Sequence, residues 1–326
     1  MILIYVKLMR IIPIEYLNEA KIVKLSIKKI TLFAILLATA LHMSFASAGE
    51  GNFGWIYTLD LQPKGKAEFE QRLQLNTGQA TGTYQSWYSR SEIEYGVTDN
   101  FQLSGYLNAY SVTAKNNYLN PEVCDATPCT AGAGVPQNVT NSGASSYSKT
   151  GLDGGSLEAI YRITDPITSP VGIGVYFEPT LGRNANSLEY RLLVQSNFID
   201  DRLILAANVV GEQEQLKSNG FLIQESQIDL LVGASYRFIP KLSAGIEARF
   251  HNDFYGYMWQ SPTQNAIFVG PNIHYAEKDW WVTAAWRNQL SGGTCHGTGT
   301  GDCWGNKVWD GHTNNEFILK VGFPLN

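Results

Sequence analysis

Lys66-Ala67-Glu68-Phe69-Glu70-Gln71-Arg72-Leu73-Gln74-Leu75 is the stretch that decides the fold. Extended, it puts Ala67, Phe69, Gln71, Leu73 and Leu75 on one face and Lys66, Glu68, Glu70, Arg72 and Gln74 on the other. Successive side chains of a strand point to opposite sides, so this period of two reads as a strand with one apolar face. A helix would scatter the same charges around its circumference.

The pattern returns near 84–97, 101–113, 154–163, 170–182, 187–199, 202–212, 225–238, 242–254, 264–276, 280–290 and 313–325. In 242–254, Leu242, Ala244, Ile246, Ala248 and Phe250 oppose Glu247 and Arg249. In 313–325, Phe317, Leu319, Val321 and Phe323 oppose Glu316 and Lys320. The connections alternate in length. Tight turns at 98–100, 164–169, 200–201, 240–241 and 277–279 interleave with longer loops at 76–83, 114–153, 213–224, 255–263 and 291–312, and a shorter one at 183–186. Short turns on one side and long loops on the other are the mark of outer-membrane barrels.

The expected fold is therefore all-β: a transmembrane antiparallel up-and-down β-barrel of about twelve strands. Strands of ten or more residues span a bilayer when tilted, and closure pairs the backbone groups that lipid cannot satisfy. An even strand number puts both termini on the short-turn side, which export makes periplasmic. Tyr95, Phe101, Tyr161, Phe198, Tyr236, Phe238, Tyr275, Trp280 and Phe323 fall beside the short turns and read as an aromatic girdle at one membrane interface.

Lys24, Lys28 and Lys29 precede the apolar run Ile30–Leu41, and Ala46-Ser47-Ala48 follows with small residues. That order reads as a secretory signal cleaved after Ala48. The expected organisation is an N-terminal extension and signal peptide over 1–48, a periplasmic N-terminal segment over 49–65, and the barrel over 66–326. Loss of residues 1–48 takes four net positive charges with it, from −5 to −9. So acidic a chain is not expected to bind nucleic acid. The expected location is the bacterial outer membrane. The expected partners are its lipid, the barrel-assembly machinery during biogenesis, and small solutes. In that oxidising setting Cys124 with Cys129, and Cys295 with Cys303, read as short-loop disulfides on the outer side. A zinc site is the rival, with spacings unlike the usual CxxC pairs.

The segments Phe53-Gly54-Trp55-Ile56-Tyr57-Thr58, Leu61-Gln62-Pro63-Lys64-Gly65-Lys66 and Glu94-Tyr95-Gly96-Val97-Thr98-Asp99 together resemble an uncharacterised family of proteobacterial outer-membrane proteins. Val269-Gly270-Pro271 and the final strand are similar to the same group. The resemblance implies a porin-like transport barrel and brings no catalytic residues. Barrels of this kind usually end in an aromatic residue, whereas this chain ends Phe323-Pro324-Leu325-Asn326, so Phe323 would serve in assembly recognition.

The inward positions carry both signs. Glu68, Glu70, Arg72, Arg90, Glu92 and Glu94 belong to the first two strands. Glu158, Arg162, Glu189, Arg191, Asp229 and Arg237 follow, and Glu247, Arg249, Arg287, Glu316 and Lys320 complete the set of expected lumen-lining residues. Such charges either pair to stabilise a filled lumen or line a water path that sets selectivity. The expected function is a passive, porin-like channel for small solutes. The alternative is a structural or interaction barrel whose outer loops bind a partner. An outer-membrane lipase is the lesser reading: of the five histidines, His42 lies in the expected signal peptide, none of His251, His274, His296 and His312 sits in a His-x-Ser motif, and no Gly-x-Ser-x-Gly occurs. No cofactor, resident metal or catalytic residue is expected: His296 beside Cys295 reads as an ordinary loop histidine, and Asn138-Val139-Thr140 as a chance glycosylation match.

Overall fold

A computed structural model describes residues 51–79, 82–116, 146–218, 221–293, 307 and 312–325. The expected signal peptide and Cys124, Cys129, Cys295 and Cys303 lie outside the described residues.

Twelve antiparallel strands form one closed barrel, each bonded to its neighbours in sequence and the first to the last. They are β1 (Ala67–Thr77), β2 (Thr83–Thr98), β3 (Phe101–Lys115), β4 (Ser146–Thr164), β5 (Gly172–Gly182) and β6 (Ala185–Phe198), then β7 (Leu203–Ser218), β8 (Phe221–Ile239), β9 (Leu242–Tyr255), β10 (Ser261–Ala276), β11 (Trp281–Gly293) and β12 (Asn315–Leu325). The seam runs from Ala67↔Leu325 to Thr77↔Asn315. Ala67 also faces Tyr95, next to the turn at 98–100, so both ends of the barrel chain lie at the short-turn end.

Strands extend into two expected loops, at the end of 114–153 and through most of 213–224. β4 begins at Ser146, and the expected loop at 213–224 is an extension of the β7–β8 hairpin, with Glu214 opposite Glu225 and Gln215 opposite Gln224. These stretches have no clean apolar face, with Tyr147 and Leu152, and Leu216, Leu222 and Ile223, set among polar residues, so the alternation that marks a strand is missing while the backbone ladder continues.

Burial is inverted relative to a water-soluble protein. Glu68, Glu70 and Glu94 are fully buried, while Leu157, Val209, Ile246 and Leu230 are exposed. A large continuous apolar exterior around a polar interior is what lipid requires of a barrel and what water disfavours. In register, Val175, Leu192, Val209, Leu230, Phe250 and Ile267 form one uninterrupted outward row across β5–β10. At the short-turn end, Tyr95, Tyr161, Phe198, Phe238, Trp280 and Phe323 are exposed. Phe101 packs on Tyr161 at 6.5 Å, Tyr236 on Phe238 at 5.0 Å and Tyr275 on Trp280 at 5.6 Å.

The segment before β1, expected as a periplasmic N-terminal segment over 49–65, runs inside the barrel from Gly51 to Gln62. Phe53, Ile56, Tyr57, Leu59 and Leu61 are buried. Their neighbours come from strands all around the wall, which only an interior segment can touch. It enters beside His274 and Thr283 near the short turns, rises to Trp55, and descends past Gln195 to Gln102. The turn Pro63–Lys66, with Gly65 in the left-handed region at φ 76° and Lys66 N donating to Pro63 O, then delivers it into β1.

Candidate functional site

The interior is built around this plug. A buried backbone must have its polar groups satisfied, and here strand side chains replace a partner strand. Glu247 on β9 accepts from Gly54 N at 2.6 Å and Trp55 N at 3.0 Å. Asn208 on β7 accepts from Tyr57 N at 2.8 Å and returns a bond to Tyr57 O at 2.9 Å. Gln195 on β6 accepts from Leu59 N at 2.6 Å, and Gln102 on β3 from Gln62 N at 2.8 Å. Residues 55, 57 and 59 thus present alternate amides to β9, β7 and β6, as an added strand would.

Apolar contacts hold the other side. Tyr57, Leu59 and Leu61 cluster with Ile160, Tyr176 and Leu193. Phe53 and Ile56 cluster with Ala206, Val210 and Leu231. Gly233 on β8 makes room for that second cluster: a Cβ there would stand 2.6 Å from Ile56 and 2.8 Å from Phe53. Among inward positions an isoleucine or leucine serves no water path, so these residues mark where the plug seats.

Arginines grip the tip. Arg287 lies over the Trp55 ring at 4.1 Å and Arg191 over Tyr57 at 4.4 Å. Arg191 also donates to Trp55 O, and Arg72 to the Tyr57 hydroxyl. Cation–π contacts of this kind strengthen when water is excluded.

The charged residues expected along the lumen fall in two groups. Arg162 and Arg237 sit at the short-turn rim, where Arg162 bonds Asp99 O and Leu59 O and Arg237 reaches Asp200 O. The others form the wall. Arg90 pairs with Glu178 at 2.6 Å, Arg191 with Glu189 at 2.6 Å, Arg249 with Asp229 at 2.6 Å and Arg287 with Glu316. Glu70 is shared by Arg72 at 3.3 Å and Lys320 at 3.1 Å. Trp281 donates to Glu68 at 2.8 Å, and Gln62 to Glu94 at 3.0 Å. Glu92 and Glu158 are buried beside them, Glu158 accepting from Tyr106 and Ser104. Side-chain exposure stays low along the wall, from zero at Glu70 and His251 to 7% at Asp229, 18% at Glu189 and 24% at Arg90.

The sequence reading missed Trp55, Tyr57, Gln102, Gln195 and Asn208. All five lie outside β-strand alternation or carry no charge, and gave no local signal; the inward apolar Ile160, Leu193 and Leu231 were the trace available. One consequence is measurable. Asn208→Ala leaves the N–H and C=O of Tyr57 without their partners, which weakens seating by roughly 2 kcal/mol. Amides of residues 54–59 are then expected to exchange with solvent about 30-fold faster in the folded barrel, read by mass spectrometry. Unchanged exchange would contradict the seating described.

Among solved structures, the COG4313 outer membrane channel from Pseudomonas putida F1 is 11% identical, covers 81% of this chain and 97% of its own, and superposes with a TM-score of 0.52. The KdgM porin in complex with disordered oligogalacturonate is 12% identical over 79% of this chain and 99% of its own, with a TM-score of 0.45. The NanC porin is 9% identical over 79% and 100%, with a TM-score of 0.47. At these identities the likeness extends to the fold alone. No curated protein matches the sequence. A family model described as a family of unknown function, DUF6662, matches residues 45–325.

Proposed function

For a chain that belongs to the DUF6662 family of unknown function, we propose the role of an outer-membrane diffusion channel for small polar solutes, closed at rest by its own N-terminal plug. The observation that carries this is the plug's mode of attachment. It is held by side-chain hydrogen bonds and ring contacts, and it hangs as a loop whose two ends lie at the same mouth. A loop of that kind can leave without opening the barrel wall. The wall it would expose carries paired acids and bases, so passage would select weakly by charge sign.

The same reading places the protein in the bacterial outer membrane after cleavage behind Ala48, with the short-turn end and both termini in the periplasm. Lipid covers the apolar exterior, and the assembly machinery inserts the barrel. A filled structural barrel is the second reading. The dense ion pairing of Arg72, Lys320 and Glu70 around the plug favours it.

The test is conductance in planar bilayers. The mature barrel and a variant lacking Gly51–Gln62 are reconstituted side by side. Brief, infrequent steps from the intact barrel and sustained conductance from the deleted one are expected. A deleted barrel that keeps heat-modifiable gel mobility yet conducts no ions in any salt would sink the channel and leave the structural reading.

A further inference from the structure

Above the plug, three inward side chains converge that the channel reading does not use. His251 and Asp253, two residues apart on β9, share its inner face. His312, just before β12, meets them across the interior. His251 Nε2 lies 2.8 Å from Asp253 Oδ2, His312 Nε2 lies 3.1 Å from the same oxygen, and the two imidazole rings are 4.4 Å apart. We propose that His251, Asp253 and His312 form a binding site for a first-row divalent cation, zinc fitting best.

Three further observations point the same way. First, His251 Nε2 is wholly buried and, despite its closeness to Asp253, is not aligned for a hydrogen bond with any neighbour. Once deprotonated, a ring nitrogen so placed offers its lone pair to an ion held between the three side chains. Second, Asp229 Oδ1 stands 2.6 Å behind it at Nδ1. A carboxylate behind the far nitrogen of a histidine fixes the tautomer and raises the basicity of the near one, as in carboxylate–histidine–metal arrangements. Third, the local charge suits a dication. Asp229 and Asp253 face one guanidinium, that of Arg249, which bonds Asp229 at 2.6 Å and lies 2.7 Å from His251 Nδ1.

The donor set narrows the ion. Two imidazoles and one carboxylate suit zinc or its first-row neighbours far better than calcium or magnesium, which prefer oxygen. Zinc bonds of about 2.0–2.2 Å at tetrahedral angles separate donor atoms by roughly 3.4 Å. The site must therefore widen by a few tenths of an ångström. His312 lies outside the strand ladder and can supply that movement, while Gln264 holds Asp253 in place through a 2.7 Å bond. Three protein donors leave a fourth position for water or a solute group.

The test uses the mature, tag-free barrel refolded in detergent. Zinc is titrated by calorimetry, and cobalt is substituted to read its visible absorption. One ion per barrel and a tetrahedral cobalt spectrum are expected. His312→Ala and Asp253→Asn should each weaken zinc binding at least tenfold, a range typical of disturbed metal sites. His312→Ala changes no strand residue, so it carries the test if Asp253→Asn fails to fold. Absence of saturable zinc binding overturns the proposal and leaves a hydrogen-bonded His–Asp–His network. Wild-type affinity in folded His312→Ala overturns it too, and assigns the ion to another place on the chain.

Discussion

Glu247→Ala is expected to raise the channel's open probability about a hundredfold in planar bilayers. The carboxylate accepts from two successive plug amides, Gly54 N and Trp55 N, and from Asn272 at 3.0 Å. Alanine leaves all three donors in the interior without it. Each orphaned buried donor costs about 1–3 kcal/mol, and relief of the buried charge itself offsets part of that sum. A net loss of about 3 kcal/mol corresponds to roughly two powers of ten in the ratio of released to seated plug. Glu247→Gln retains one carbonyl oxygen and should fall between, near tenfold. Equal open probability in wild type and Glu247→Ala would mean that the segment does not gate the pore.

Val209→Arg tests the lipid boundary. Val209 sits in the outward apolar row between Leu192 and Leu230, and it is 47% exposed. In a bilayer, a charged side chain near the midplane of a barrel costs about 2–4 kcal/mol. At an exposed site in water the same change would cost within about 0.5 kcal/mol. Denaturant unfolding from lipid vesicles, followed by tryptophan fluorescence, is expected to show the larger loss. A loss under 0.5 kcal/mol would place this face in water and remove the membrane reading.

The two substitutions also show what could be read from sequence. Val209 belongs to a pattern of period two, which is local, so each strand declares itself within ten residues. Even its failures are local: 146–153 and 213–224 mix apolar and polar residues without strict alternation and lose the contrast that signals a strand. Glu247 was legible as an inward charge, but its role was not. Its partners lie 192 and 193 residues earlier in the chain. The plug has no alternation, because its backbone is satisfied by side chains of six different strands. The neutral Gln102, Gln195 and Asn208 that supply part of this carry no charge a sequence would flag. The histidine cluster was hidden in the same way. His251 and His312 lie far apart in the chain, and only closure of the barrel brings them to one point.

That closure has a kinetic consequence. β1 and β12 pair residues about 250 positions apart, from Ala67↔Leu325 to Thr77↔Asn315. Contacts of such long range are entropically the last to form. Arg72 on β1 already touches the Tyr57 hydroxyl, and Glu70 beside it reaches Lys320 on β12. The first strand therefore carries a tethered, pre-formed inner surface to the point where the final strand must arrive. The N-terminal loop is then a template for the slowest zipping step as well as a stopper in the finished wall, and a chain lacking it should close its seam more slowly than it loses stability.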